Sequence, residues 1–91
     1  MEEQVAKKLE ELLREAVSMH GDGHELPKQI DPSVNYYETY DIDSLTAVGF
    51  FIEIQRAFKL RIPEETAQNF ESLSEIANYL VSRFREAEAE A

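Results

Sequence analysis

Among the hydroxyls of this chain, that of Ser44 has neighbours that say what it could do. It lies in Tyr40-Asp41-Ile42-Asp43-Ser44-Leu45, where a long polar loop gives way to the most apolar helical stretch of the sequence. A serine there stands at a helix N-terminus, whose unpaired N–H groups and positive dipole end favour a phosphate. Asp43 is the residue type that caps such an end. Asp41 and Asp43 also form a carboxylate pair, but an EF-hand needs a glycine and a terminal glutamate where Thr46 and Ile52 stand. Hydrolysis is disfavoured, because no histidine or lysine lies near Ser44 in sequence to act as its base and the histidines lie in the first loop. His20 and His24 are four apart around Asp22, yet Gly21 and Gly23 keep the pair off a helix and no third ligand follows. They read as loop surface rather than a metal site.

Four helical segments must position that serine. From Glu3 to about Met19, Val5, Leu9, Leu12, Leu13, Ala16 and Val17 make one apolar stripe, which Gly21 and Gly23 end. His20 to Asp43 shows no sustained period, a long loop for so small a domain. Leu26, Ile30, Val34, Tyr36, Tyr37 and Tyr40 are available to pin it, and Asp31-Pro32-Ser33 suits one helical turn. The second helix runs from Ser44 to about Lys59. Ala47, Phe50, Phe51, Ile54 and Phe58 share one side, and Leu45, Val48 and Ile52 an adjoining one, which is either more core or a face awaiting a partner. Thr46, Gly49, Glu53 and Arg56 fill the remaining sector. A short third helix begins at Pro63. Ser72 and Glu75 form a capping box, followed by the stripe Leu73, Ile76, Ala77, Leu80 and Phe84. The expectation is an all-α bundle of three long helices and one short one. Residues 1–85 form a single domain, and 86–91 a frayed acidic tail without apolar anchors.

Composition narrows the function further. The chain has 91 residues, no cysteine and a net charge of −10. Disulfides, thiol nucleophiles and zinc-thiolate sites are therefore excluded. So strong a negative charge repels nucleic acid and anionic lipid. No basic segment leads into an apolar run at Met1-Glu2-Glu3-Gln4, and no run is long enough to span a bilayer. The expectation is a cytoplasmic monomer without membrane insertion.

The motif Asp43-Ser44-Leu45 resembles the attachment site of acyl carrier proteins, and the similarity extends along the chain. Ile52-Glu53-Ile54-Gln55-Arg56-Ala57-Phe58 followed by Ile62-Pro63-Glu64-Glu65 is similar to the family's second helix and its entry to the third. Phe70-Glu71-Ser72-Leu73 and Ile76-Ala77-Asn78-Tyr79-Leu80 resemble the start and stripe of its last helix. The resemblance implies a four-helix carrier fold with no catalytic activity of its own. It implies that Ser44 receives 4′-phosphopantetheine from coenzyme A through a phosphopantetheinyl transferase, with Asp43 and Leu45 as motif residues. Acyl groups then travel as thioesters between acyl-loading, condensing and acyl-transfer enzymes of fatty-acid, polyketide or specialised lipid synthesis. Asp41, Thr46, Val48, Gly49, Ile52, Glu53 and Arg56 are implied to face those partners. Ile62 and Ala67 are implied to line a slot for a short acyl chain, or to be ordinary core. An aminoacyl or peptidyl carrier is the neighbouring reading, and an unmodified helical interaction module the reading from another class.

The departures are informative. Glycine is usual in the family where Asp41 stands, and acids are common at Thr46, Gly49, Gln55 and Arg56. Their loss points to a specialised carrier rather than a general fatty-acid one.

Overall fold

Apolar periodicity forms the long helices, and side-chain caps set several of the helix starts. The computed structural model describes residues 2–90, as α1 (Glu2–His20), α2 (Tyr36–Thr39), α3 (Ser44–Phe58), α4 (Glu64–Gln68) and α5 (Leu73–Glu90), with no strand among them. All six stripe residues of α1 are buried, and α3 and α5 pack against that stripe. Phe50 and Ile54 of α3 share one core with Leu73, Ile76 and Leu80 of α5. Truncating a buried ring such as Phe50 costs about 3–5 kcal/mol, a large share of what so small a domain possesses.

The long loop is held by polar ties to its neighbours. Arg14 Nη2 donates to the carbonyls of Pro27 (2.6 Å) and Lys28 (2.9 Å). The Tyr36 amide donates to Glu71 O (2.9 Å), and that of Ser74 to Pro32 O (2.8 Å). Ile30 and Tyr36 are buried, with the Tyr36 ring edge-on to Phe50.

Three boundaries differ from the sequence expectation. Asp31 starts no helix; its Oδ1 accepts from the amide and hydroxyl of Ser33, closing a turn. The short helix begins later, where Asn35 Oδ1 accepts from the amides of Tyr37 and Glu38, so the bundle has two short helices instead of one. At the other end α5 continues through Glu90, past the last apolar anchor, on alanine and glutamate, which are strong helix formers. The Ser72–Glu75 capping box is present, Ser72 N donating to Glu75 Oε1 (3.0 Å) and Glu75 N to Ser72 Oγ (3.3 Å).

Where α1 meets α3, two glycines allow the contact. A Cβ on Gly49 would lie 2.4 Å from ring carbons of His20, and one on Gly21 would lie 2.7 Å from Thr46 Oγ1. Gly49→Ala gains about 1 kcal/mol of helix propensity but meets an overpacking cost of about 1–3 kcal/mol. Thermal unfolding of Gly49→Ala should show a lower Tm than the parent. Adding His20→Ala should recover most of the loss; if the two changes are additive, the contact is not what excludes the side chain.

Candidate functional site

Ser44 is the first residue of α3, and the chain before it is fixed from both sides. Ile42 is buried between exposed Asp41 and Asp43, and its amide donates to Tyr37 O (3.2 Å). Asp43 is the N-cap: its Oδ1 accepts from the Thr46 amide at 2.7 Å, while its carbonyl accepts from Ala47 N. The Thr46 amide also holds the Asp43 carboxyl below its ordinary pKa. Among the described residues the amides of Ser44 and Leu45 have no hydrogen-bond acceptor, so this helix end keeps unpaired donors beside an exposed hydroxyl.

Ser44 also stands at the edge of an open groove of about 450 Å³ between α3 and α4. Ala47, Phe51 and Ile62 supply its apolar floor, with Tyr37 and Ala67 on its walls. Gln55 sets the width: its Nε2 donates to Phe51 O, and its Oε1 accepts from Ile62 N at 2.9 Å. A serine-linked phosphate with a flexible, mostly apolar extension fits these surroundings, having amide donors at its root and a groove beside it.

The outward residues of α3 divide into two groups. Leu45, Val48 and Ile52 are 70%, 58% and 41% exposed, so the second apolar stripe is a free face and not core. Exposed Arg56 continues it. Thr46 and Gly49 are buried against the end of α1 and offer no surface to a partner, contrary to the sequence expectation. Glu53 is half-buried beside them, 3.9 Å from His20 Nε2 and 3.6 Å from Arg56 Nη1. The helical period could not reveal this, because His20, Gly21, Thr46 and Gly49 pack together with little apolar signal. Close approach of the His20 ring, and not of a partner, accounts for Gly49.

Asp41 has φ +55°, in the left-handed region that costs most L-residues about 1–2 kcal/mol and glycine nothing. A glycine preference at that position thereby acquires a backbone reason. His20 lies against Gly49 and His24 against Tyr40, and among the described residues no group of three acidic or histidine side chains converges as a metal site. His24 instead bridges the loop to the site's lead-in. Its Nδ1 faces Asp22 Oδ1 and its Nε2 faces Tyr40 O at 2.9 Å, two acceptors that the doubly protonated ring satisfies together. The Asp22 hydrogen bond, then the Tyr40 carbonyl, raise the His24 pKa above 6.5.

Two outcomes follow from this geometry. Asp41→Gly should raise stability by about 0.5–1 kcal/mol, measured by denaturant unfolding, since relief of the left-handed conformation exceeds the added chain entropy. The contribution of His24 is complete below its unfolded pKa and is lost as pH rises through the higher folded value. An NMR titration should place its pKa above 6.5, and Asp22→Asn should lower it.

The chain is similar to known proteins along most of its length. Residues 4–80 match the family model described as phosphopantetheine attachment site. The acyl carrier protein of Phytoplasma mali (strain AT) is 30% identical over 84% of this chain and 83% of its own. That of Rubrobacter xylanophilus is 24% identical over 87% and 90% respectively, and that of Amoebophilus asiaticus (strain 5a2) 28% over 66% and 75%. No solved structure matches at a significant level.

Proposed function

The chain belongs to the acyl carrier protein family, whose model is a phosphopantetheine attachment site, and on that premise we propose that Ser44 is the residue that bears the arm. The protein is a carrier and not an enzyme, and its cofactor is covalent 4′-phosphopantetheine. The observation that carries the assignment is an exposed hydroxyl at a capped helix start, beside two unpaired amides and at the edge of a groove. Asp43 orders that start by taking up the Thr46 amide, which leaves those of Ser44 and Leu45 for the phosphate. Ile42 anchors the lead-in so that the serine stands clear of the core. When attached, the arm supplies a terminal thiol that holds acyl groups as thioesters for transfer between enzymes. The groove residues Tyr37, Phe51, Ile62 and Ala67 would exclude water from a short acyl chain.

The acyl branch is favoured over an aminoacyl or peptidyl carrier by the acidic cap Asp43, and over an unmodified interaction module by the intact Asp43-Ser44-Leu45. A phosphopantetheinyl transferase is the first partner, followed by loading, condensing and transfer enzymes. Among the described residues no helix is long and apolar enough to cross a membrane. The specialised-pathway reading now rests on less than the sequence suggested. Thr46 and Gly49 are buried, so the lack of acids there follows from packing, and only Gln55 and Arg56 remain as altered positions off that contact.

The test is direct. Incubation with coenzyme A and a phosphopantetheinyl transferase should add the mass of one phosphopantetheinyl group to the parent protein. Ser44→Ala should keep the helical circular dichroism of the parent and gain nothing. A modified Ser44→Ala would move the attachment elsewhere, and an unmodified parent would end the carrier assignment.

A further inference from the structure

The lead-in to Ser44 contains a strained residue, and one side chain of the long loop holds the chain just before it. Asp41 has φ +55°, a conformation that an L-residue keeps only where its surroundings fix it from both sides. After it, the Ile42 amide donates to Tyr37 O (3.2 Å) and the Ile42 side chain is buried. Before it, the loop grips Tyr40 at two points. The Tyr40 hydroxyl accepts from the Asp31 amide (2.7 Å), and its carbonyl faces His24 Nε2 (2.9 Å). Asp22 holds the other side of that ring, its Oδ1 accepting from the His24 amide (3.0 Å) and lying against Nδ1.

The grip on the Tyr40 carbonyl is conditional on a proton. Imidazolium donates from both nitrogens and satisfies Asp22 and Tyr40 O together, whereas neutral imidazole has one N–H. The bond to the Asp22 carboxylate is charge-assisted and the stronger of the two. The neutral ring therefore keeps its proton on Nδ1 and turns a lone pair to the Tyr40 carbonyl. The carboxylates that face the ring favour the cation: Asp22 from its own loop, Asp41 from the lead-in and Asp43 from the start of α3. Arg14 of α1 lines the same small cavity, of about 120 Å³, but its Nη2 is committed to Glu10 and to the carbonyls of Pro27 and Lys28.

We propose that His24 is a positioning residue for the attachment at Ser44: its doubly protonated ring holds Tyr40 O, and through it the left-handed Asp41, so that Asp43-Ser44 is presented to the transferase. This rests on the carrier reading. In that reaction the bond from Ser44 Oγ to phosphorus forms and the phosphoanhydride of coenzyme A breaks. The nucleotide half leaves, and the hydroxyl proton passes to the transferase or to water. His24 acts on the exchange only through the backbone. As pH rises and the ring gives up its second proton, the hold on Tyr40 O is lost. Asp41 then relaxes from the left-handed region, and the serine loses its fixed position.

The test is the rate of phosphopantetheinyl addition, followed by intact mass with one transferase across pH. Dividing the parent rate by that of each variant at the same pH cancels the transferase's own pH dependence. Below pH 6.5 the parent should be modified about threefold or more faster than His24→Ala, and the ratio should fall toward one as pH rises through the His24 pKa read by NMR. Asp22→Asn should move the midpoint of that fall to lower pH, which a merely structural role would not do. Asp41→Gly supplies a second test, because glycine takes the left-handed conformation without strain. Adding His24→Ala to Asp41→Gly should slow modification far less than adding it to the parent. A ratio constant across pH, a midpoint unmoved by Asp22→Asn, or an equal loss on both backgrounds overturns the proposal and leaves the carrier reading standing. A parent that gains no mass at any pH overturns both.

Discussion

The contact that sets everything outward-facing on α3 is the meeting of His20 and Gly21 with Gly49 and Thr46. A helix packed only through Phe50, Phe51 and Ile54 could rotate somewhat about its axis and still bury them, since apolar contacts are non-directional. The His20 ring seated on a residue without a side chain removes that freedom. With the rotation fixed, Ala47 and Phe51 turn to the groove and Leu45, Val48 and Ile52 to the outside. The Asp43 cap and the buried Ile42 then fix the start of the helix along its axis. Together they decide where one hydroxyl stands.

The three long helices were legible in the sequence because their stripes are apolar and periodic, and the Asp43 and Ser72 caps because their chemistry is local. What was not legible has a common physical cause. The α2 helix is capped by Asn35 and held by the burial of Tyr36 and its tie to Glu71, contacts with no periodic pattern over so few residues. Thr46 and Gly49 looked like surface because the element that covers them is polar and glycine-rich. That Ser44 starts a helix was legible from its neighbours, whereas a groove beside it was expected only through the family resemblance. Its width depends on Gln55 reaching the Ile62 amide, seven residues on. The family resemblance supplied Ile62 and Ala67 there; Tyr37 came only from the fold, from a loop whose course no local rule sets.

Charge works at two ranges in this molecule. The overall −10 governs solubility and which large surfaces approach, over distances comparable with the screening length. At contact range charge acts through single ties, as where Arg14 holds the loop carbonyls of Pro27 and Lys28 and Asp43 takes up the Thr46 amide.

The bare backbone at Gly49 also constrains how such a carrier can be rebuilt. Transplanting the outer face of α3 from a relative, with an acid at position 49, would push against His20 and turn the helix or lift it off α1. The transferable unit is therefore not one helix but two short pieces of chain, His20–Gly21 and Ser44 to Glu53. A chimera exchanging both keeps the hydroxyl and the new face in register, whereas exchanging one alone alters the two together.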